Sequence, residues 1–265
     1  MKIAVLGAGG PTGVECVHAL VKAGHVAIAV VRDPAKYASP SPWPEGTEVR
    51  EGDVSVDLTN FDAEVAMEAA ATRLEETALA GGVDGVVFAV AAPKTAGRTA
   101  VDHWGAGAAA LAAKKINARY VLITVMLVDP KDYWHPIRII LNTMQWGIMD
   151  AKFAGENAVR AVSAGALGAI DGQLDYVIIR PGGLVGGGES DLSLSRAFAV
   201  AVLGKTNIAP PGTQHVLAAG QRDPDGLLAG ARSIHRADVA SVVVRALEDP
   251  EAVGKTVEIV ARFAP

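Results

Sequence analysis

The residues best suited to chemistry begin almost at the start of the chain. Gly7-Ala8-Gly9-Gly10-Pro11-Thr12-Gly13 follows directly on the apolar run Ile3-Ala4-Val5-Leu6 and leads into a helical pattern. That order suits a backbone that must cradle a pyrophosphate. Gly7 permits a sharp turn off the strand, Gly9 and Gly10 permit close approach of the phosphates, and Gly13 lets the helix pack near the sheet. The helix opened by Pro11 and Thr12 then offers unpaired N–H groups and the positive end of its dipole. Val14, Val17, Leu20 and Val21 recur at helical spacing, and Ala23-Gly24 supplies the stop. The pattern points to a bound dinucleotide.

The next strand pattern, His25 to Val31, ends in Arg32-Asp33-Pro34-Ala35-Lys36. A guanidinium at this place favours a 2′-phosphate on the adenosine ribose, whereas a carboxylate favours the free 2′-hydroxyl. Arg32, with Lys36 one helical turn later, points to NADP, and NAD is the less favoured cofactor. Asp33 is the competing signal; its other reading is a cap for a short helix beginning at Pro34. After the third strand, Asp53 is placed to accept from an adenine amino group while Val54 packs on the ring, or Asp53 simply caps the following turn. Ala91-Ala92-Pro93 offers small residues where backbone passes the riboses.

These residues need a frame, and the hydrophobic pattern supplies one. Apolar runs near 2–7, 26–32, 47–51, 84–91, 119–125, 174–180 and 255–261 read as strands. Helical patterns fall near 12–23, 59–71, 99–115, 137–163, 191–203 and 236–247. Strands apolar throughout, such as Val86-Val87-Phe88-Ala89-Val90, suit a parallel sheet covered on both faces. The alternation predicts an α/β doubly wound Rossmann sheet, with right-handed crossovers. The 265 residues read as a single domain, with 127–150 and 185–235 contributing a small substrate lobe. The Gly/Pro-rich stretch 204–230 and residues 127–140 are expected to wall the cofactor.

Composition narrows the function. A net charge of −5 and no basic cluster argue against nucleic acid. Cys16 is the only cysteine, read as a small buried thiol, and the six histidines lack metal-ligand spacing, so no metal is expected. No run is long enough to span a bilayer. A first strand at Lys2 leaves no room for a signal peptide, so the expectation is a soluble protein. It would be cytoplasmic, or in an organelle stroma or matrix if a transit peptide has been removed.

Taken in order, the glycine turn, Val31 to Lys36, Gly52-Asp53-Val54, Val101-Asp102-His103-Trp104-Gly105, Asp150 to Glu156, Tyr176 to Leu184 and Ser233 to Ala240 resemble the atypical short-chain dehydrogenase/reductase family. The resemblance is to its branch of NmrA-like proteins and plant chloroplast NAD(P)-binding oxidoreductases. It implies an NADP-binding core and a small substrate lobe. It also implies that Arg180-Pro181-Gly182 passes the nicotinamide, and that Lys152 is the catalytic lysine that holds the nicotinamide ribose.

Two departures from that pattern bear on function. Reductases of the wider superfamily use a Ser, a Tyr and a Lys four residues after the Tyr. Here the Tyr position holds Ile148, and the Ser position falls on Val125, with Thr124 adjacent. Tyr133, His135 and Asp150 are weak replacement acids; the other reading of the first two is an aromatic packing corner, and of Asp150 a solvated carboxylate. His235 and Arg236 are read as packing of the lobe. The second departure is the Gly/Ala-rich insertion 164–173, a tolerated surface loop or a contact surface for another chain. The leading expectation is an NADP-dependent oxidoreductase with a small conjugated, quinone or flavin-type acceptor. A non-turning cofactor-binding sensor or subunit of a larger assembly is the main alternative, and a sugar isomerase or dehydratase is a third reading.

Overall fold

The computed structural model describes residues 1–59, 62–92, 97–144, 147–168, 170–186 and 233–259. In chain order the elements are β1 (Lys2–Leu6), α1 (Pro11–Lys22), β2 (Val26–Val31), β3 (Glu48–Glu51), α2 (Ala63–Glu76), β4 (Gly85–Phe88), α3 (Trp104–Lys115) and β5 (Arg119–Ile123). Then follow α4 (Pro136–Met144), α5 (Ile148–Ser163), β6 (Tyr176–Pro181), β7 (Gly183–Val185), β8 (Ser233–His235), α6 (Arg236–Glu248) and β9 (Lys255–Ile259). Seven strands form one parallel sheet in the order β3-β2-β1-β4-β5-β6-β9. The chain runs outward from β1 to β3, then crosses back to β4. This puts the topological switch point between β1 and β4, where doubly wound sheets bind ligands outside the strands' carboxyl ends.

Two hydrophobic layers explain why the strands are apolar without a break. Ile3, Val5, Ala29, Val31, Val87, Val121, Ile123, Val177 and Val257 face the side covered by α1 and α6. Their sequence neighbours Ala4, Leu6, Ile28, Val30, Val86, Phe88, Tyr120, Leu122 and Ile178 face α2, α3 and α5. Successive strand residues alternate faces, so covering both faces requires apolar residues at every position. The alanine-rich α3 is buried along Gly105–Lys114 between α2 and α5. Small side chains allow that close approach; a Cβ on Gly107 would sit 2.9 Å from the Met67 sulfur.

Several boundaries differ from expectation. The helix expected over 137–163 is two helices, because Gly147 takes a left-handed conformation (φ 81°) between them and Asn142 Oδ1 accepts from the Met149 amide at 3.0 Å. The helix expected at 59–71 begins later, where the Asp62 side chain accepts from the Glu64 and Val65 amides. The pattern over 99–115 opens with a π-helical turn, Thr99–His103. The insertion is a surface loop, exposed at 164–166 and 171–173, from which Leu167 and Ile170 pack on the α2/α3 layer. The short parallel pair β7–β8 is a feature the hydrophobic pattern did not single out. The helix expected at 191–203, the stretch 204–230, Pro93 and Trp146 lie outside the described residues. Among the described residues no helix is long and apolar enough to cross a membrane.

One buried carboxyl makes stability depend on pH. Asp238, in the first turn of α6, is almost fully buried, and burial pushes its pKa up from 3.8 to about 7. The folded state therefore favours the protonated acid. The stability it contributes is complete below the ordinary carboxylate value and is lost as pH rises towards 7. Asp238→Asn should gain stability relative to the native chain between pH 4 and 7, and the gain should level off above. Urea titrations across pH 4–8 measure this, and a difference independent of pH would contradict it.

Candidate functional site

The glycine turn leaves β1 with Gly7 at φ +80°, and the Gly7 and Ala8 amides both donate to the Val30 carbonyl at 3.2 Å. The Gly10 amide closes the turn on the Gly7 carbonyl at 3.0 Å. That same carbonyl dictates Gly13, where a Cβ would lie only 2.2 Å from it. Helix α1 then starts with Pro11 in its first turn and no side chain capping it. The amides of Thr12 and Gly13 have no side-chain partner among the described residues, and they stand at the positive end of the helix dipole.

The turn opens on a cleft of about 340 Å³ at the switch point. Gly7, Gly9, Gly10, Arg32, Lys36, Asp53, Val54 and Ala91 all line it, joined by Tyr37 and Val101. Residues from four loops thus converge as the sequence reading expected. One reading of a single residue is corrected, and one of two alternatives for another is observed. Asp33 makes no cap for the turn at Pro34; its carboxylate pairs with Lys36 at 3.2 Å instead. Asp53 does brace the following turn, accepting from the Ser55 amide through Oδ1 at 2.9 Å.

A feature the sequence reading missed closes one wall. Tyr37 reaches over the glycine turn so closely that a Cβ on Gly9 would fall 2.0 Å from its hydroxyl oxygen. The Tyr37 ring packs on Trp43 with centroids 5.1 Å apart, and the buried Trp43 indole donates to the Ala8 carbonyl at 3.1 Å. His18 Nε2 donates to the Pro42 carbonyl at 2.8 Å. The Pro-rich loop is therefore pinned to α1 and to the turn.

Lys152, Ala92, Pro181 and Gly182 stand apart from that lining, at the carboxyl ends of the central strands. Lys152 is buried on α5, and its Nζ donates to Asp102 Oδ1 at 2.9 Å. Asp102 Oδ2 accepts from the Ala92 amide at 3.2 Å. Asp102 had been noticed only as part of a motif, with no role. One helical turn on, Glu156 is fully buried. It accepts from Arg180 Nε at 2.9 Å and Nη2 at 2.7 Å, from Arg160 at 2.9 Å and from the Thr124 hydroxyl at 2.8 Å. Arg180 also donates to Glu258 at 3.2 Å, and these carboxylates hold its pKa above the ordinary value against the effect of burial. Pro181 and Gly182 follow on β6, their backbone bonded to Met126 and Ile259.

The candidate acids are placed elsewhere. The Thr124 hydroxyl is given to Glu156, and Ile148 is half-buried at the start of α5. Tyr133 is exposed beneath the Arg138 guanidinium, and His135 Nδ1 accepts from the Ile137 amide at 3.2 Å. Asp150 is exposed to solvent as expected, and is also bound by the buried Arg138 and by Asn142 at 2.7 Å. Arg138 meanwhile ties down the carbonyls of Leu127, Val128 and Asp129. His235 accepts from the Ala237 amide at 3.4 Å and so caps α6. Cys16 is buried with its thiol pushed up to about 12, far from any reactive thiolate.

The geometry separates two kinds of glycine. A Cβ on Gly10 meets only the Gly7 carbonyl at 3.4 Å, an ordinary contact, yet Gly10 faces the cleft. Gly10→Val should therefore fold with near-native melting and lose NADPH binding. Gly13→Val should lose folding cooperativity itself. Circular dichroism melts paired with nucleotide fluorescence titration distinguish the two; tight NADPH binding by Gly10→Val would contradict the placement of the turn.

The residues fit a nicotinamide dinucleotide: a glycine cradle that side chains would fill, uncapped helix amides, and two cations at the end of β2. A family model described as NAD(P)H-binding matches residues 7–201. No curated protein matches in sequence. Among solved structures, the oxidoreductase ylbE from Lactococcus lactis is 17% identical with a TM-score of 0.60, covering 100% of this chain and 92% of that one. ChuY, an anaerobillin reductase from Escherichia coli O157:H7, is 17% identical with a TM-score of 0.60, each chain covered over 100%. A UDP-N-acetylglucosamine 4-epimerase from Bacillus cereus is 15% identical with a TM-score of 0.58, covering 98% of this chain and 80% of that one. At such identities the likeness is one of fold, whereas the family model spans most of the chain. The chain belongs to the NAD(P)H-binding family and adopts a Rossmann fold.

Proposed function

We propose that the chain is an NADP-dependent oxidoreductase that passes hydride to a small conjugated, quinone or flavin-type acceptor. The observation that carries this reading is the set of groups around Lys152. Its ammonium is tied to Asp102, the Thr124 hydroxyl is given to Glu156, and Ile148 stands where a tyrosine acid would be. The bound cofactor supplies the hydride. Around it, the amides at the start of α1 take the pyrophosphate, and Arg32 with Lys36 takes the 2′-phosphate. The free Oδ2 of Asp53 takes the adenine amino group, while Val54 packs on the ring. Lys152, oriented by Asp102, would hold the nicotinamide ribose, with Ala91, Ala92, Pro181 and Gly182 supplying the small residues and backbone beside it.

Such a site binds and orients, but it offers no proton to a developing alkoxide. Acceptors that spread the incoming negative charge need none at the moment of transfer, and their proton comes from water afterwards. Segments 127–150 and 185–235 form the substrate lobe in this reading. A second reading, a non-catalytic NADP-binding sensor or subunit, is favoured by one observation. Trp134, Ile139, Ile140 and Met144 form an exposed apolar run, with Trp134 82% exposed, which would suit a protein partner.

Cofactor choice is measurable directly. NADPH should bind more tightly than NADH by about tenfold or more, as charge-assisted contacts to phosphate would give. Arg32→Ala should erase most of that difference; equal affinities in the native protein would overturn the assignment. The acceptor panel is the second check. Turnover with quinones or flavins should exceed that with simple ketones and aldehydes by roughly 10²-fold or more, the usual effect of a missing oxyanion donor. Efficient reduction of a plain ketone would contradict the reading, and NADPH binding without any turnover would favour the sensor.

A further inference from the structure

We infer that Arg98 receives an acidic oxyanion, a carboxylate for choice, on the acceptor molecule; this deepens the oxidoreductase reading by naming a substrate class. Arg98 is 8% exposed, and its Nε and Nη1 are buried with no hydrogen-bond partner among the described residues. The other buried cations are matched. Lys152 has Asp102, Arg180 has Glu156 and Glu258, Arg138 has Asp150 and three carbonyls, and Lys114 donates to the Val162 carbonyl at 2.9 Å. A guanidinium cannot shed its proton to escape burial, so an unmatched one is a standing penalty on the fold. A group kept at such a penalty suits an anion that arrives from outside.

Its position says which anion. Arg98 immediately precedes the turn Thr99–His103, beyond the carboxyl end of β4 and beside the switch point. Val101, three residues on, lines the cleft, and Asp102, four residues on, holds Lys152. Asp102 is the obvious internal partner, but its carboxylate accepts from Lys152 and from the Ala92 amide, and it makes no bond to the buried Nε and Nη1 of Arg98. The pyrophosphate cradle is on α1, and the cations for the 2′-phosphate are at the far end of β2. Arg98 is thus within one turn of Val101, which lines the cleft, and of Asp102, which holds Lys152, and an acceptor docked beside them would bring its anion to the unmatched charge.

The test uses a matched pair of ligands, 2-naphthoate and its neutral analogue 2-naphthamide, titrated calorimetrically into the protein with and without saturating NADP⁺. The expected result is binding of the naphthoate at least about tenfold tighter than the amide, the scale of one charge-assisted contact. Arg98→Gln should remove that preference and leave NADP⁺ affinity unchanged. Equal binding of the two ligands, binding of neither, or a preference that survives Arg98→Gln overturns the proposal. Failure of the native protein to bind NADP⁺ overturns the cofactor reading instead, and the nucleotide-free titration still decides for Arg98. A stability measurement guards against a variant that merely misfolds. Ligand-free Arg98→Leu should melt a few degrees above the native chain, because it removes an uncompensated buried charge. A lower melting temperature would show that Arg98 is structural and overturn the proposal.

Discussion

The ion pair between Lys152 and Asp102 holds together the parts of the site that are distant in sequence. Asp102 sits on the turn after β4, accepts from the Ala92 amide at the mouth of that strand, and grips the lysine of α5. Packing enforces the pairing, because a Cβ on Gly155 would fall 2.1 Å from the Asp102 carbonyl oxygen. Removing either partner would leave a charge buried alone, which is far more damaging than the pair itself is stabilising. One turn along the same helix, Glu156 repeats the device, binding Arg180 of β6 and, through it, Glu258 of β9. Helix α5 thus delivers two buried charges to the carboxyl ends of the strands, and each fixes a different wall.

The opposite end of the cleft is built on other physics. Its cradle is backbone, set by the contact between Gly13 and the Gly7 carbonyl, and its cations, Arg32 and Lys36, are on the surface, Lys36 paired with Asp33. Tyr37 and Trp43 give this end its shape, pinned by an indole hydrogen bond to the turn itself. The division suits a dinucleotide. In the proposed reading, rigid amides would meet the pyrophosphate, exposed cations the ribose phosphate, and the buried, pre-paired lysine the nicotinamide ribose.

The sheet and the glycine turn were legible in the sequence because both are local. Strand runs without polar interruption and a glycine every few residues declare themselves within a short window. Boundaries slipped where a single side chain decided them. Asp62 sets the start of α2 through its cap, and Gly147 divides α4 from α5 through a positive φ. The roles of Asp102, Glu156 and Arg98 were not legible, because each depends on partners, or on a lack of them, far away in the chain. Lys152 was found only through a family resemblance. What the sequence did not reveal is the Asp102 carboxylate, 50 residues away, that holds it. Asp33 shows the reverse error: a local cap looked sufficient, but Lys36, three residues away, captured the carboxylate.

The central claim is that this site transfers hydride without a protein acid. It is tested most directly by single-turnover oxidation of NADPH with 1,4-naphthoquinone, followed in a stopped-flow instrument from pH 6 to 9. The account predicts a rate constant that is flat across this range, slowed by deuterium at the transferred position of the nicotinamide and insensitive to deuterated water. A rate that falls along a single titration, with a marked solvent isotope effect, would reveal a protein proton donor and contradict the account.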